Sequence, residues 1–230
     1  MRALLLALVI ASPAAAAERN YSVTDFDRVR LDAPLRVNLL TGRAPAARAM
    51  GSAAALDALK VEVQGRTLVI GRNVSAWGAG GGDAGPVTLS LATPALRGAA
   101  VNGGGLLAID AIRGGTVQLT VGGAGAMDVA SLDADALAAA MVGDGRMTLA
   151  GAARTATLQL RGNGSMAAEG LLTDHLRVGA DGTGTVTAAA RTTANVQASG
   201  TGSVTVTGDA ACTVKALGSA LVRCGSDKTR

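Results

Sequence analysis

Aromatic residues are nearly missing from this chain. Tyr21, Phe26 and Trp77 are the only ones, 1% of 230 residues, and all three precede residue 96. Sandwiches of two sheets usually bury at least one large aromatic between their layers, so the C-terminal part needs a thinner core of Ala, Val, Leu and Met. Histidine is also scarce: His175 stands alone after Thr173-Asp174 and just before Leu176 and Val178. No strained nucleophile elbow accompanies it, which argues against a Ser-His-Asp arrangement and places it in a connector. After the N-terminal run Ala3 to Ala11, no apolar stretch approaches the roughly 20 residues needed to cross a bilayer as a helix. The charge is mildly basic, +4, with arginines scattered from Arg19 to Arg230. Without a basic stripe or stacking aromatics, nucleic acid is not an expected partner. Ordinary screened attraction to anionic lipid or polysaccharide is all that this charge implies.

Glycine is plentiful, 32 residues, and its placement is regular. Gly103-Gly104-Gly105, Gly123-Ala124-Gly125, Gly143-Asp144-Gly145, Gly162-Asn163-Gly164, Gly182-Thr183-Gly184, Gly200-Thr201-Gly202 and a degenerate Ala216-Leu217-Gly218 recur with last-glycine spacings of 20, 20, 19, 20, 18 and 16 residues. The flanks alternate as strands do: Val117, Leu119, Val121 before one turn and Met127, Val129 after it; Leu158, Leu160 and Met166, Ala168 around another. A fixed period near twenty with strand-like flanks predicts an all-β, single-stranded parallel β-helix of about seven coils. Coils about 4.8 Å apart would make a rod on the order of 30 Å long. An antiparallel meander of hairpins is the alternative, since Gly-x-Gly also closes short hairpin loops.

The first 17 residues have the three parts of a secretory signal peptide: Met1-Arg2, the apolar run, then Ser12-Pro13 and four alanines. Cleavage is expected between Ala17 and Glu18, which leaves a formal charge of +3 in place of +4. The residue directly after that point is Glu18 and not cysteine, so no lipoprotein anchor is expected, and the mature chain is read as periplasmic or secreted. In an exported chain the pair Cys212 and Cys224 favours a disulfide. The two lie symmetrically about Gly218, as do Val214 with Val222 and Ala216 with Ala220. If all six face inward, the last coil must pinch shut or become a true hairpin to bring the Cα atoms within about 7 Å. The role expected for the bridge is a clamp on the end of the stack.

Residues 18–95 read as N-terminal strands and a cap, 96–225 as the Gly-x-Gly β-helix and 226–230 as a polar tail. In the first of these, Val29, Leu31 and Leu35, Val37, Leu39 form two strands broken at Ala33-Pro34. Ser52 caps a short helix through Leu59, and Val61, Val63 pair with Leu68, Ile70 in a hairpin. Ala76 to Gly85 is a glycine-rich loop, and a strand at Val87, Leu89, Leu91 is closed by Pro94. The run Phe26-Asp27-Arg28-Val29-Arg30-Leu31, then Leu35-Arg36-Val37-Asn38-Leu39, then Val61 to Ile70, followed by the Gly-x-Gly coils, resembles the GIN domain described for the heads of auto-transporter adhesins. That resemblance covers residues 24 to 206. It implies a right-handed coil in an envelope or secreted protein with no established enzyme activity. The sequence ends in Ser226-Asp227-Lys228-Thr229-Arg230 where an auto-transporter would carry a membrane barrel.

Catalytic and binding candidates are few. A glycosidase needs two carboxylates across a groove, and a lyase needs acids, a metal and a base. Asp110, Asp128, Asp144 and Asp181, with Arg146 and Arg161, are the residues that could supply them. Asp144 and Asn163 hold equivalent turn positions and should be neighbours, though turns select Asp and Asn for backbone reasons. Gly122 to Asp128 is one position out of step with a calcium-binding nonapeptide. Gly78 to Gly82 lacks the Lys and Ser/Thr of a phosphate loop. The expectation is therefore a non-enzymatic, cofactor-free structural or binding module that presents Gln118-Thr120, Thr185-Thr187 and Thr205-Thr207 to an envelope glycan or protein. A carbohydrate-active β-helix enzyme is the alternative.

Overall fold

A computed structural model describes residues 17–73 and 85–225. The leader, the loop around Gly78–Gly82 and the polar tail fall outside the described residues, apart from their boundary residues. What is described is a stack of parallel coils. Strands β10 (Ile112–Gly122), β11 (Ala126–Val142), β12 (Arg146–Gly162), β13 (Ser165–Gly182) and β14 (Thr185–Gly200) each wrap most of one turn. Each pairs in parallel with the next, as Met127 with Met147, Met147 with Met166, and Met166 with Val186. Parallel pairing at every step rules out the hairpin meander.

The two glycines of each turn do different jobs. The first takes a left-handed φ, 119° at Gly162 and 122° at Gly182, where a Cβ would be strained. The second has ordinary φ but no room. A Cβ on Gly164 would lie 2.6 Å from the carbonyl oxygen of Gly145, and one on Gly184 would lie 2.5 Å from that of Gly164. Coils can thus approach to hydrogen-bonding distance at the corner, with Ser165 N donating to Gly145 O and Thr185 N to Gly164 O at 3.0 Å each.

The repeat boundary differs from the sequence reading at its last step. Gly200 pairs with Gly218, so the final turn is Gly218-Ser219-Ala220 and its period is 18, like the one before it. The expected 16-residue step came from matching Gly218 to the second glycine of the motif instead of the first.

Inside the stack, equivalent side chains form columns. Met127, Met147 and Met166 are at most 1% exposed, as are Leu119, Ala139, Leu158 and Val178. Fully burying such a side chain is worth about 1.5–3 kcal/mol, and these coils form one continuous core with the N-terminal strands. Where the third side of the coil begins, the register slips between Val129 and Leu132. Gly151, with φ 126°, absorbs that slip, because a Cβ there would stand 2.1 Å from Leu132 O.

Chain order and spatial order part company at the N-terminal end. Strands β2 (Arg28–Leu31) and β3 (Arg36–Thr41) form a coil. It lies between β6 (Thr67–Arg72) with β7 (Thr88–Thr93) on one side and β8 (Gly98–Asn102) with β9 (Leu106–Ile109) on the other. Val29 pairs with both Leu68 and Ala99, and Val37 with both Leu89 and Leu107. This segment is therefore an intercalated coil as well as part of the N-terminal region. Beyond it, antiparallel strands cover the edge: β5 (Leu59–Gln64) on β6, β4 (Ala46–Gly51) on β7, and β1 (Ala17–Tyr21) on β4. The hairpin and the Ser52 cap, whose Oγ accepts from Ala55 N at 3.2 Å, are as expected, but the helix α1 (Ala53–Asp57) is shorter than expected, because Leu59 already opens β5. Strand β4, rich in alanine, gave no β signal in the sequence.

At the other end, β15 (Ser203–Thr207) is followed by β16 (Ala211–Gly218) and β17 (Leu221–Cys224). Cys212 and Cys224 are disulfide-bonded with Cα atoms 6.1 Å apart. The last coil pinches without becoming a hairpin, since β16 and β17 stay parallel to β14 and β15. Cys212, Val214 and Ala216 continue the inward columns of Ala194, Val196 and Ala198. All of β16 is nevertheless exposed, because no described coil stacks beyond it.

Candidate functional site

Outward side chains also form columns, one position wide and one coil apart. On the face leading into each Gly-x-Gly turn, three adjacent columns are Thr157, Arg177, Asn195; Gln159, Gly179, Gln197; and Arg161, Asp181, Ser199. The terminal coil extends them with Thr213, Lys215 and Leu217. Gly179 leaves a gap in the central column. A recess of about 250 Å³ opens over it, lined by Gln159, Arg161, Asp181, Gln197, Ser199 and Lys215 among others. Beside it on the same strands is a second recess of about 470 Å³, reaching Arg177, His175 and Asn195.

The carboxylates singled out in the sequence do not converge. Asp181 lies on this face between Arg161 and Ser199, and its Oδ1 accepts from Ser199 Oγ at 2.8 Å. Asp144 sits at the turn corner, where it accepts from Asn163 Nδ2 at 2.9 Å; Thr183 Oγ1 in turn donates to Asn163 Oδ1. The expected Asp144 and Asn163 contact is thus one rung of a polar ladder along the corner. Asp128 is past that corner, between Ala108 and Thr148, and Arg146 is on the same face between Ala126 and Ser165. Asp110 accepts from Thr41 N at 3.0 Å and ties the intercalated coil to its neighbour. Only Arg161 and Asp181 share a recess. Among the described residues, no three of His, Cys, Asp and Glu are grouped to hold a metal ion.

Two expectations change in position. His175 is inside β13, paired with Thr155 and Thr193, not in a connector. It is exposed, and its Nδ1 is 2.9 Å from Thr193 Oγ1. The polar set expected to form one face divides between two. Gln118 and Thr120 precede the corner, while Thr185, Thr187, Thr205 and Thr207 follow it. Thr187 Oγ1 also donates to Glu169.

Charge elsewhere is paired for structure. Asp27, 9% exposed, accepts from Arg66 Nε at 2.9 Å, with Arg97 Nε at 3.9 Å. The hydrogen bond that Arg66 donates to Asp27 raises the pKa of its guanidinium above the ordinary value. At the third corner Arg154 meets Asp135 at 2.8 Å and Arg191 meets Asp174 at 3.8 Å. The sequence reading missed Arg177, Gly179 and Lys215. Aligning the repeats on the first glycine of each turn would have placed Gly179 between Gln159 and Gln197 and revealed the gap.

Comparison with known proteins supports the fold. Residues 25–210 match the family model described as putative auto-transporter adhesin, head GIN domain. A crystal structure of a putative adhesin from Bacteroides fragilis is similar over 92% of this chain and 96% of its own, with 19% identity and a TM-score of 0.80. A putative lipid binding protein from Parabacteroides distasonis is similar over 91% and 96%, with 16% identity and a TM-score of 0.68. A putative adhesin from Parabacteroides merdae gives 91% and 95%, with 15% identity and a TM-score of 0.69. No curated protein matches significantly.

Proposed function

This chain belongs to the GIN domain family of putative auto-transporter adhesin heads, and from that premise we propose that it is a non-enzymatic binding module exported to the bacterial envelope. The observation behind this reading is the face leading into the turns. There a stack fixed by backbone pairing on both sides presents ordered columns of amide, hydroxyl and cationic side chains around shallow recesses. Rigid presentation reduces the ordering cost of binding. The glycosidase alternative loses its main support, because Asp128, Asp144 and Asp181 occupy three different columns on two faces and a corner. The Cys212–Cys224 bond is consistent with an oxidising compartment.

The test is to incubate the purified chain with acidic and neutral polysaccharides, envelope proteins and lipid vesicles, and to measure retention and the release of new sugar ends. Retention without cleavage is the expected result. Cleavage would overturn the non-enzymatic reading, and retention by none of the three classes would overturn the binding module.

Lipid is a second reading, favoured by one observation. Val214, Leu217 and Leu221 are exposed on the terminal coil, with Lys215 and Arg223 beside them in sequence. Vesicle sedimentation that depends on Leu217 and Leu221 would favour it over the polar face.

A further inference from the structure

We propose that the hollow over Gly179 is a subsite for one carboxylate-bearing sugar residue of an acidic polysaccharide, a proposal that rests on the binding-module reading and gives it a place and a ligand class. Neither backbone conformation nor packing demands glycine here. Gly179 is not among the glycines with left-handed φ. A Cβ built on it would meet nothing closer than the Gln159 side chain, at 3.7 Å, an ordinary contact distance. What glycine does provide is depth. The floor of the recess is backbone, while Gln159 and Gln197 stand one coil to either side.

The recess, about 250 Å³, is slightly below the roughly 300–1,000 Å³ of sites for drug-sized ligands, a scale suited to a single sugar ring. Its rim defines the chemistry. Among the described residues no aromatic lines the recess, so recognition by this lining comes from hydrogen bonds and charge. Arg161 and Lys215 line the hollow against the single carboxylate of Asp181, which favours an anionic ligand, and Arg177 continues the cationic lining into the neighbouring recess. Guanidinium groups can hold a carboxylate through two parallel hydrogen bonds. The amides of Gln159 and Gln197 both donate and accept, as ring hydroxyls do. Asp181, an acceptor already engaged by Ser199 Oγ, suits a hydroxyl-bearing sugar and disfavours a ring that carries more than one negative charge. The neighbouring recess, with Arg177 and Asn195 on its lining, offers the next residue of a polymer a path along the same strands.

The experiment is affinity electrophoresis and calorimetry of the purified chain with polygalacturonate and, as the neutral polymer, dextran. Three variants accompany it: Arg161→Ala, Gly179→Gln, and Thr148→Ala on the opposite side of the turn. Polygalacturonate is expected to bind and dextran not to. Losing the charge-assisted contacts of Arg161 should weaken binding about tenfold or more, filling the hollow should do the same, and Thr148→Ala should have no effect. Thermal melts establish that each variant is folded, and Arg161→Ala tests the site if Gly179→Gln fails to fold. Equal binding of dextran, or wild-type affinity in a folded Arg161→Ala, overturns the proposal. Failure of polygalacturonate to bind while an envelope protein or vesicle is retained overturns this subsite and leaves the module standing. Failure of every class removes both.

Discussion

Replacing Gly184 by alanine tests the close approach of coils at the turn, because it adds a Cβ where no left-handed φ confuses the outcome. That Cβ would stand 2.5 Å from Gly164 O and 2.7 Å from Leu160 Cδ2. The leucine tip can move, but the carbonyl is held by Thr185 N at 3.0 Å, so the coil itself must shift. Overpacking typically costs 1–3 kcal/mol, and an obstacle made of backbone puts this case at about 3 kcal/mol. For a chain of this size the melting temperature should fall by about 6–12 °C. Two other glycines calibrate the result. Gly65→Ala places a Cβ at φ 64° with nothing within 4 Å and should cost about 1 kcal/mol from conformation alone. Gly179→Ala has neither strain nor clash and should be stabilising by about 0.5 kcal/mol through the unfolded chain. Melting curves by circular dichroism should therefore rank the proteins Gly184→Ala, Gly65→Ala, wild type, Gly179→Ala from least to most stable. If Gly184→Ala melts within about 2 °C of wild type, or above Gly65→Ala, the account of the turn is wrong. Gain of stability at Gly179 would also agree with a glycine kept for a site, since binding sites commonly sacrifice some stability.

Breaking the Cys212–Cys224 bond, by the double alanine variant, should cost about 3 kcal/mol given its short closed loop; hydrogen exchange should then rise first in residues 211–225, and unchanged protection there would refute the clamp. Asn163→Asp would set a second carboxylate against Asp144 where an amide now donates, costing about 1 kcal/mol at low salt and much less at high salt; a salt-independent loss would point to packing instead. Glu62 is held below its usual pKa, chiefly by the hydrogen bond from Lys60 and then by that from Gln64. A lowered carboxyl pKa gives a contribution that is present above the unfolded value and is lost as pH falls through the folded one. Chemical denaturation across that acid range should therefore show a shallower pH dependence in Glu62→Gln than in wild type, and identical slopes would show that the pair does not stabilise the fold.

The central coils are readable because their determinants are local. Glycine spacing gives the period and alternation gives the buried columns, so the order of residues along the chain is enough to turn Met127, Met147 and Met166 inward. Ser52 and the Gln64–Thr67 hairpin are likewise legible from neighbours in sequence. What escaped detection depends on which coil lies beside which. Nothing between Arg28 and Thr41 says that it will lie between residues 67–93 and 98–109. Alanine-rich β4 is a strand only because β7 and β1 flank it. The site was hidden for a related reason. A missing side chain has no signature of its own in a glycine-rich sequence, and Gly179 becomes informative only when the repeats are aligned turn on turn, which sets it between Gln159 and Gln197.

The two ends of the stack meet the same physical problem in different ways. A parallel edge exposes unpaired backbone groups and the open end of the apolar core. At the N-terminal end, β1, β4 and β5 run antiparallel over the edge, and the intercalated coil draws the chain back into the core. Closing Val29 onto Ala99 spans 70 residues, against 20 for Met127 onto Met147. Because loop entropy grows only with the logarithm of length, the longer closure costs about 1 kcal/mol more, less than one buried leucine returns. The C-terminal coil leaves Val214, Leu217 and Leu221 exposed, and β16 has no covering strand among the described residues. Its burial is too slight to hold it, and a covalent bond worth about as much as one or two buried side chains supplies the difference. With both ends held independently of the outward positions, side chains such as Arg161, Arg177 and Gln197 are free of structural duty, and the surface between the ends is where binding can be specified.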